Sequence, residues 1–159
     1  MATACEHPHR SAGLTGRALK AELIAAEARC AQADQRLTAP RRRVLELLLQ
    51  SGQPVKAYDL IAAFGPDGAP AKPPTVYRAL EFLERLGFAH RIESLNAYLA
   101  CRHGPETHAS AFLICDCCGA ADEVEPVGAD RLAELARSSG YQVDMVTVEA
   151  HGRCAACAA

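Results

Sequence analysis

Two Cys-x-x-Cys pairs, Cys115-Asp-Cys-Cys118 and Cys154-Ala-Ala-Cys157, constrain this chain more than any other feature of its sequence. Each pair can set two thiolates on one side of a tight turn, about 2.3 Å from a shared zinc ion, and two pairs complete a closed tetrahedron. Four thiolates leave no open coordination position, so such a site is structural rather than catalytic. It would tie the Cys115 turn to the C-terminal segment, and its binding energy would be folding energy. Cys117 leaves the first pair ambiguous. Cys115 with Cys118 is preferred because Cys-x-x-Cys-Gly is the usual knuckle, which makes Cys117 a spare thiol.

The chain has eight cysteines, which in a secreted protein would suggest disulfides. Met1 to Arg10 carries no apolar core of a signal peptide, and no run approaches the roughly eighteen apolar residues of a membrane helix. A cytoplasmic chain with no membrane partner is therefore expected, and closely spaced cysteines there point to metal. The 159 residues carry a net charge of -2, unevenly spread. Residues 1–100 hold 13 Lys and Arg against 10 Asp and Glu, and residues 101–159 hold 4 against 9. A basic front and an acidic back suggest that only the front meets a polyanion.

The periodicity agrees. Leu19 to Gln35 reads as a helix with Leu19, Leu23 and Ala26 on one stripe. Thr38 is placed as the N-cap of a second helix, with Pro40 in its first turn, a stripe of Val44, Leu45, Leu48 and Leu49, and Gly52 and Pro54 as its stop. Lys56 to Phe64 gives a short third helix. Pro74 to Leu86 gives a fourth, with Val76, Ala79, Leu80, Leu83 and Leu86 inward and Gly87 at its end. Two alternating segments, Phe88–Glu93 and Ala97–Arg102, then form a hairpin. Helices followed by a hairpin indicate a winged helix-turn-helix that ends near Cys101. Beyond it, Ala111–Cys115, Ala121–Glu125 and Tyr141–Ala150 read as strands, and Asp130–Ser138 as a helix with Leu132, Leu135 and Ala136 inward. This second part is too small to bury much surface alone, so a metal and a partner subunit would both support it.

On the fourth helix Thr75, Tyr77, Arg78, Glu81 and Arg85 face outward. Arg78 lies one turn in, where a guanidinium can reach guanine, and Tyr77 can meet a thymine methyl or a phosphate. Lys72, just before the helix, is a further DNA-binding candidate. Arg41, Arg42 and Arg43 crowd the first turn of the second helix, where the macrodipole disfavours each cation by roughly 0.3–1 kcal/mol. A phosphate partner would explain that crowding, with Arg41 and Arg42 the expected contacts.

A second set of candidate metal ligands is His90, Cys101, His108 and Glu123, a mixture of sulfur, nitrogen and oxygen donors. A hairpin symmetric about Leu95–Asn96 places His90 directly opposite Cys101, with Cβ atoms about 4.5–5.5 Å apart. A site drawn from the wing, the linker and the second domain would fix the angle between domains, as a sensor requires. His103 competes with His108 as the linker ligand, and His151 is read as a supporting or surface residue. An enzyme is not expected. A zinc deaminase needs His-x-Glu and Pro-Cys-x-x-Cys, and His103-Gly-Pro-Glu106 and Asp116-Cys-Cys118 fail both patterns. No Ser/His/Asp set, phosphate-cradling glycine loop or small-molecule substrate site is apparent.

Lys72-Pro-Pro-Thr-Val-Tyr-Arg-Ala-Leu80, Gly87-Phe-Ala-His90, Ile114-Cys115, Cys118-Gly119 and Glu149-Ala-His-Gly-Arg-Cys154-Ala-Ala-Cys157 together resemble the ferric-uptake-regulator family, most closely its zinc-sensing branch. The resemblance runs from about Leu19 to Cys157. It implies an α+β fold, an N-terminal winged helix-turn-helix domain followed by a small α/β dimerisation domain, and a homodimer that binds inverted-repeat DNA and represses zinc-uptake genes. It further implies one structural zinc on Cys115, Cys118, Cys154 and Cys157, one regulatory zinc on His90, Cys101, His108 and Glu123, and base contacts from Tyr77 and Arg78. The organisation expected is a tail over 1–16, a DNA-binding domain over 17–102, a hinge over 103–110 and a dimerisation and zinc-binding domain over 111–159. Iron-sensing members carry a His-His-Asp-His run where this chain has Thr107-His-Ala-Ser110, and a soft thiolate at Cys101 suits zinc. Sensing of iron, manganese, nickel or peroxide on the same fold stays open as the alternative. Cys5, His7 and His9 in the N-terminal extension are read as part of a disordered tail rather than a site.

Overall fold

The computed structural model describes residues 12–101, 109–144 and 146–158. His103, His108, Cys5, His7 and His9, all named above, lie outside them. The chain folds as two compact units, Ser11–Cys101 and one that starts at Arg102. The class is α+β, helices first and then a hairpin, a mixed sheet and one further helix.

The first unit begins with α1, Gly16–Gln32, which buries Leu19, Leu23, Ala26 and Cys30 at helical spacing. Asp34, at φ 53, takes the left-handed turn that ends it, with Gln35 N–H on Cys30 O at 2.8 Å and Asp34 N–H on Ala31 O at 3.1 Å. Helix α2, Ala39–Ser51, starts after Thr38, has proline in its first turn, and buries Val44, Leu45 and Leu48. Gly52 closes it at φ 61, a conformation that a side chain disfavours; a Cβ there would also lie 2.8 Å from the Gly13 nitrogen. The short α3, Ala57–Ala62, and the longer α4, Pro73–Arg85, complete the helical part. Val76, Ala79, Leu80, Phe82 and Leu83 of α4 join α1 and α2 in one core with Phe88 and Tyr98. Leu83 is 0% exposed. Leu83→Ala should therefore cost about 2–5 kcal/mol in chemical denaturation of the full chain. A loss under about 1 kcal/mol would mean that this core can collapse around the cavity.

After α4 the chain reverses on Gly87. Gly87 N–H donates to Glu84 O at 2.9 Å and Phe88 N–H to Leu83 O at 2.8 Å, so the helix leads directly into β1, Ala89–Ile92. Strand β2, Ala97–Ala100, pairs with β1, and Val55 and Tyr98 exchange 2.8 Å backbone bonds that tie the start of α3 to this wing. The hairpin register differs from the symmetric turn expected above. Ala89 pairs with Ala100 and Ile92 with Ala97, so His90 faces Leu99 rather than Cys101. The loop is longer than expected, Glu93 to Asn96, because Asn96 takes a left-handed φ of 47 that asparagine tolerates, and its N–H closes on Glu93 O at 3.1 Å. The shift is two residues, not one, so His90 and Cys101 still share a face.

In the second unit β3, Ala109–Cys115, is central, with β4, Ala121–Val124, antiparallel on one side and β5, Val146–Gly152, parallel on the other. Parallel neighbours need a crossover, and α5, Ala129–Ser138, lies in it. The third strand is shorter than the Tyr141–Ala150 segment predicted. Gly140 ends α5 with Tyr141 N–H on Ala136 O at 2.8 Å, which spends the next residues on the return to the sheet. The inward reading of α5 also changes. Only Ala129 is fully buried, while Leu132 is 50% and Leu135 63% exposed, because a unit this small has nothing among its described residues to cover them. Among the described residues no helix is long and apolar enough to cross a membrane.

Candidate metal centre and nucleic-acid interface

The four-cysteine group is assembled by the sheet. Strand β3 ends on Cys115, where Cys115 N–H donates to Ala120 O at 2.9 Å and Gly119 N–H to Cys115 O at 2.8 Å, folding Asp116 to Cys118 into a tight turn. Parallel pairing carries β5 to Gly152 opposite Cys115, and a second turn follows, closed by Cys157 N–H on Cys154 O at 2.9 Å. The sulfurs of Cys115, Cys118, Cys154 and Cys157 all lie within 4.8 Å of one another, and Cys118 and Cys154 are 3.9 Å apart. Zinc bonds of about 2.3 Å in a tetrahedron put sulfurs about 3.8 Å apart, so the donors fit the ion in number, kind and spacing.

No disulfide joins the described cysteines. Cys154 N–H donates to Cys115 Sγ at 3.3 Å, and such backbone bonds hold the Cys115 thiol down at about 6, in the direction that favours a metal-binding thiolate. Burial pushes the Cys118 thiol the other way. Cys117 is exposed and stands outside the group.

The second candidate set is divided between the units. His90 on β1 and Cys101 just past β2 bring their ligand atoms within 4.8 Å, although they are diagonal rather than opposed. Cys101 N–H donates to Phe88 O at 2.9 Å, which continues the hairpin pairing one residue beyond β1 and β2, and the Nε2 of His90 is buried. Glu123 is half-buried on β4, paired in register with Phe112 of β3.

On α4 the buried stripe leaves Tyr77 47% exposed and Arg78 exposed beside it. Thr75 is half-buried, and its N–H donates to the carbonyl of Lys72 at 2.9 Å, with Lys72 exposed. The arginine run finds partners within the chain. Arg43 caps the end of α3 through the carbonyls of Phe64 at 2.8 Å and Ala63 at 3.1 Å, and pairs with Glu46 at 2.8 Å. Arg42 pairs with Glu27 at 2.8 Å. Arg41 bonds Arg36 O at 2.7 Å and lies 3.6 Å over the Phe82 ring. The crowding on the first turn is thus offset internally, and it does not by itself require a phosphate. Tyr58 on α3 is 62% exposed, with the Lys56 ammonium 5.9 Å from its ring.

Residues 32–151 match the ferric uptake regulator family. The zinc uptake regulation protein of Escherichia coli (strain K12) is 45% identical over 139 residues, which cover 86% of this chain and 81% of that protein. The protein of that description from Shigella flexneri is similar to the same extent, 45% over 139 residues. Among solved structures, a zinc uptake regulator complexed with zinc and DNA superposes with a TM-score of 0.82 at 42% identity, covering 90% of this chain and 97% of that one. The crystal structure of holo XcZur gives 0.78 at 42% identity, covering 87% and 97%.

Proposed function

The chain belongs to the ferric uptake regulator family, and we propose that it is a zinc-responsive repressor that binds promoter DNA as a zinc-loaded homodimer and silences zinc-uptake genes in the cytoplasm. It is a transcription regulator and not an enzyme. The observation that carries the reading is the 42% identity, across 90% of this chain, to a zinc uptake regulator complexed with zinc and DNA.

Cys115, Cys118, Cys154 and Cys157 would hold a structural zinc. When bound, zinc supplies strong bonds in place of the apolar area that a unit of this size lacks. His90, Cys101, Glu123 and His108 would hold the regulatory zinc, with sulfur, nitrogen and oxygen donors suited to that ion. His90 follows α4 across a single reversing turn, so an ion that fixes His90 and Cys101 fixes the recognition helix with them. Residues 17–102 serve as the DNA-binding domain, 103–110 as the hinge and 111–159 as the dimerisation and zinc-binding domain.

In this account the start of α4 enters the major groove, with Thr75, Tyr77 and Arg78 toward base edges and Lys72, Arg41 and Arg42 toward phosphates. Arg78→Ala should weaken operator binding by about 1–3 kcal/mol while changing random-duplex binding little. Equal losses on both duplexes would place Arg78 on the backbone instead. The homodimer is supported by α5, whose Leu132 and Leu135 are left 50% and 63% exposed. Leu135→Asp should weaken self-association at least about 30-fold in sedimentation velocity, as loss of a central apolar contact does. An unchanged dimer would place the interface elsewhere.

A further inference from the structure

Three of the hydrogen bonds between the two cysteine turns run through backbone N–H groups or the Asp116 and His151 side chains. Asp116 N–H donates to Gly152 O at 2.8 Å, and Cys154 N–H donates to Cys115 Sγ at 3.3 Å. In the third, His151 Nδ1 donates to Asp116 Oδ1 at 2.9 Å, side chain to side chain across 35 residues of sequence. The far ring nitrogen of His151 lies 3.8 Å from Glu149 Oε2.

We propose that Asp116 and His151 form a latch that positions the two thiol pairs and slows zinc release from the four-cysteine site. The proposal rests on the reading that these cysteines hold zinc. Asp116 lies inside the first Cys-x-x-Cys turn, and His151 is the penultimate residue of β5, three residues before Cys154. The register pairing of β3 with β5 ends at Cys115 and Gly152, so past that point the strands no longer align the turns. Zinc leaves a four-thiolate site stepwise. Once one pair has let go, its recapture depends on how close the other turn keeps it, as an effective concentration. A side-chain bond across the gap keeps the turns adjacent without taking a coordination position. His151 itself is not among the clustered ligand atoms.

The test follows zinc transfer from the full-length chain to the chromogenic chelator 4-(2-pyridylazo)resorcinol, in a Cys101→Ser background so that one metal phase is read. His151→Ala should release zinc about 3- to 10-fold faster, the range expected for one exposed, charge-assisted hydrogen bond. Asp116→Ala should do the same, and the double substitution should add nothing further. His151→Asn, whose amide can donate to Asp116 from the same place, should restore the slow rate. The sulfur-to-cobalt charge-transfer bands of the Co(II)-loaded chain should be the same in all variants, since the four thiolates are untouched. Three results would overturn the latch: an unchanged rate in His151→Ala, release from His151→Asn as fast as from His151→Ala, or altered cobalt bands in His151→Ala, which would make the histidine a ligand. A background chain that holds no zinc at all would overturn the four-cysteine reading, and the latch with it.

Discussion

Cys154→Ser is expected to remove one zinc per chain and to unfold the second unit while the first stays folded. The reason is the balance within residues 109–158. Their fully buried apolar side chains are few, among them Phe112 at 1% and Ile114 at 3% exposure, and α5 leaves its leucines uncovered. Structural zinc sites in small domains supply about 10–16 kcal/mol of apparent binding energy at neutral pH, which this sheet cannot replace. A serine in the tetrahedron leaves three thiolates and an exposed metal edge. Zinc analysis should show the loss. Amide exchange should show protection gone from β3, β4 and β5 but kept in α1, α2 and α4, whose core includes none of the four clustered cysteines. Full zinc content with unchanged protection would mean that the cluster is not a metal site.

Cys101→Ser is expected to act in the opposite way, sparing the fold and abolishing the response. Cys101 sits at the exit of β2, and its thiol is outside the core of the first unit. A serine there keeps the backbone bond to Phe88 but takes a soft thiolate from a mixed site. Changes that only reorient metal ligands cost about 10–100-fold in affinity, so loss of a ligand should raise the free zinc needed for half-maximal operator binding by at least about 100-fold. Linkage adds a check. Operator DNA should tighten regulatory-zinc binding in the wild type by the factor that zinc tightens DNA binding, and this reciprocal effect should vanish in the variant. A variant with the wild-type zinc dependence would remove Cys101 from the site.

The cysteine turns were legible because their spacing is local. Gly119 and the Cys-x-x-Cys intervals specify tight turns wherever the strands run, and the structure gathers the four sulfurs nominated. The stripe of α4 was legible for the same reason, since helical spacing alone separates Val76 and Leu83 from Tyr77 and Arg78. The hairpin register was not, because one asparagine in a left-handed conformation moves the turn. Nor were the partners of Arg43, because the carbonyls it bonds at the end of α3 lie 20 and 21 residues away. Leu132 and Leu135 read as core because their pattern is that of any amphipathic helix; what covers such a face is not written in the helix. The Asp116–His151 bond was invisible because only parallel pairing of β3 with β5 brings its ends together.

Metal-dependent operator binding tests the central claim most directly. Fluorescence anisotropy of a labelled promoter duplex would be followed with the wild-type chain while free zinc is raised in a chelator-buffered series, with iron(II), manganese(II) and nickel(II) run in parallel. The account predicts tight binding that appears only as free zinc rises and is not produced by the other three ions at matched occupancy. Binding switched on equally by another ion, or indifferent to all of them, would contradict a zinc-sensing repressor.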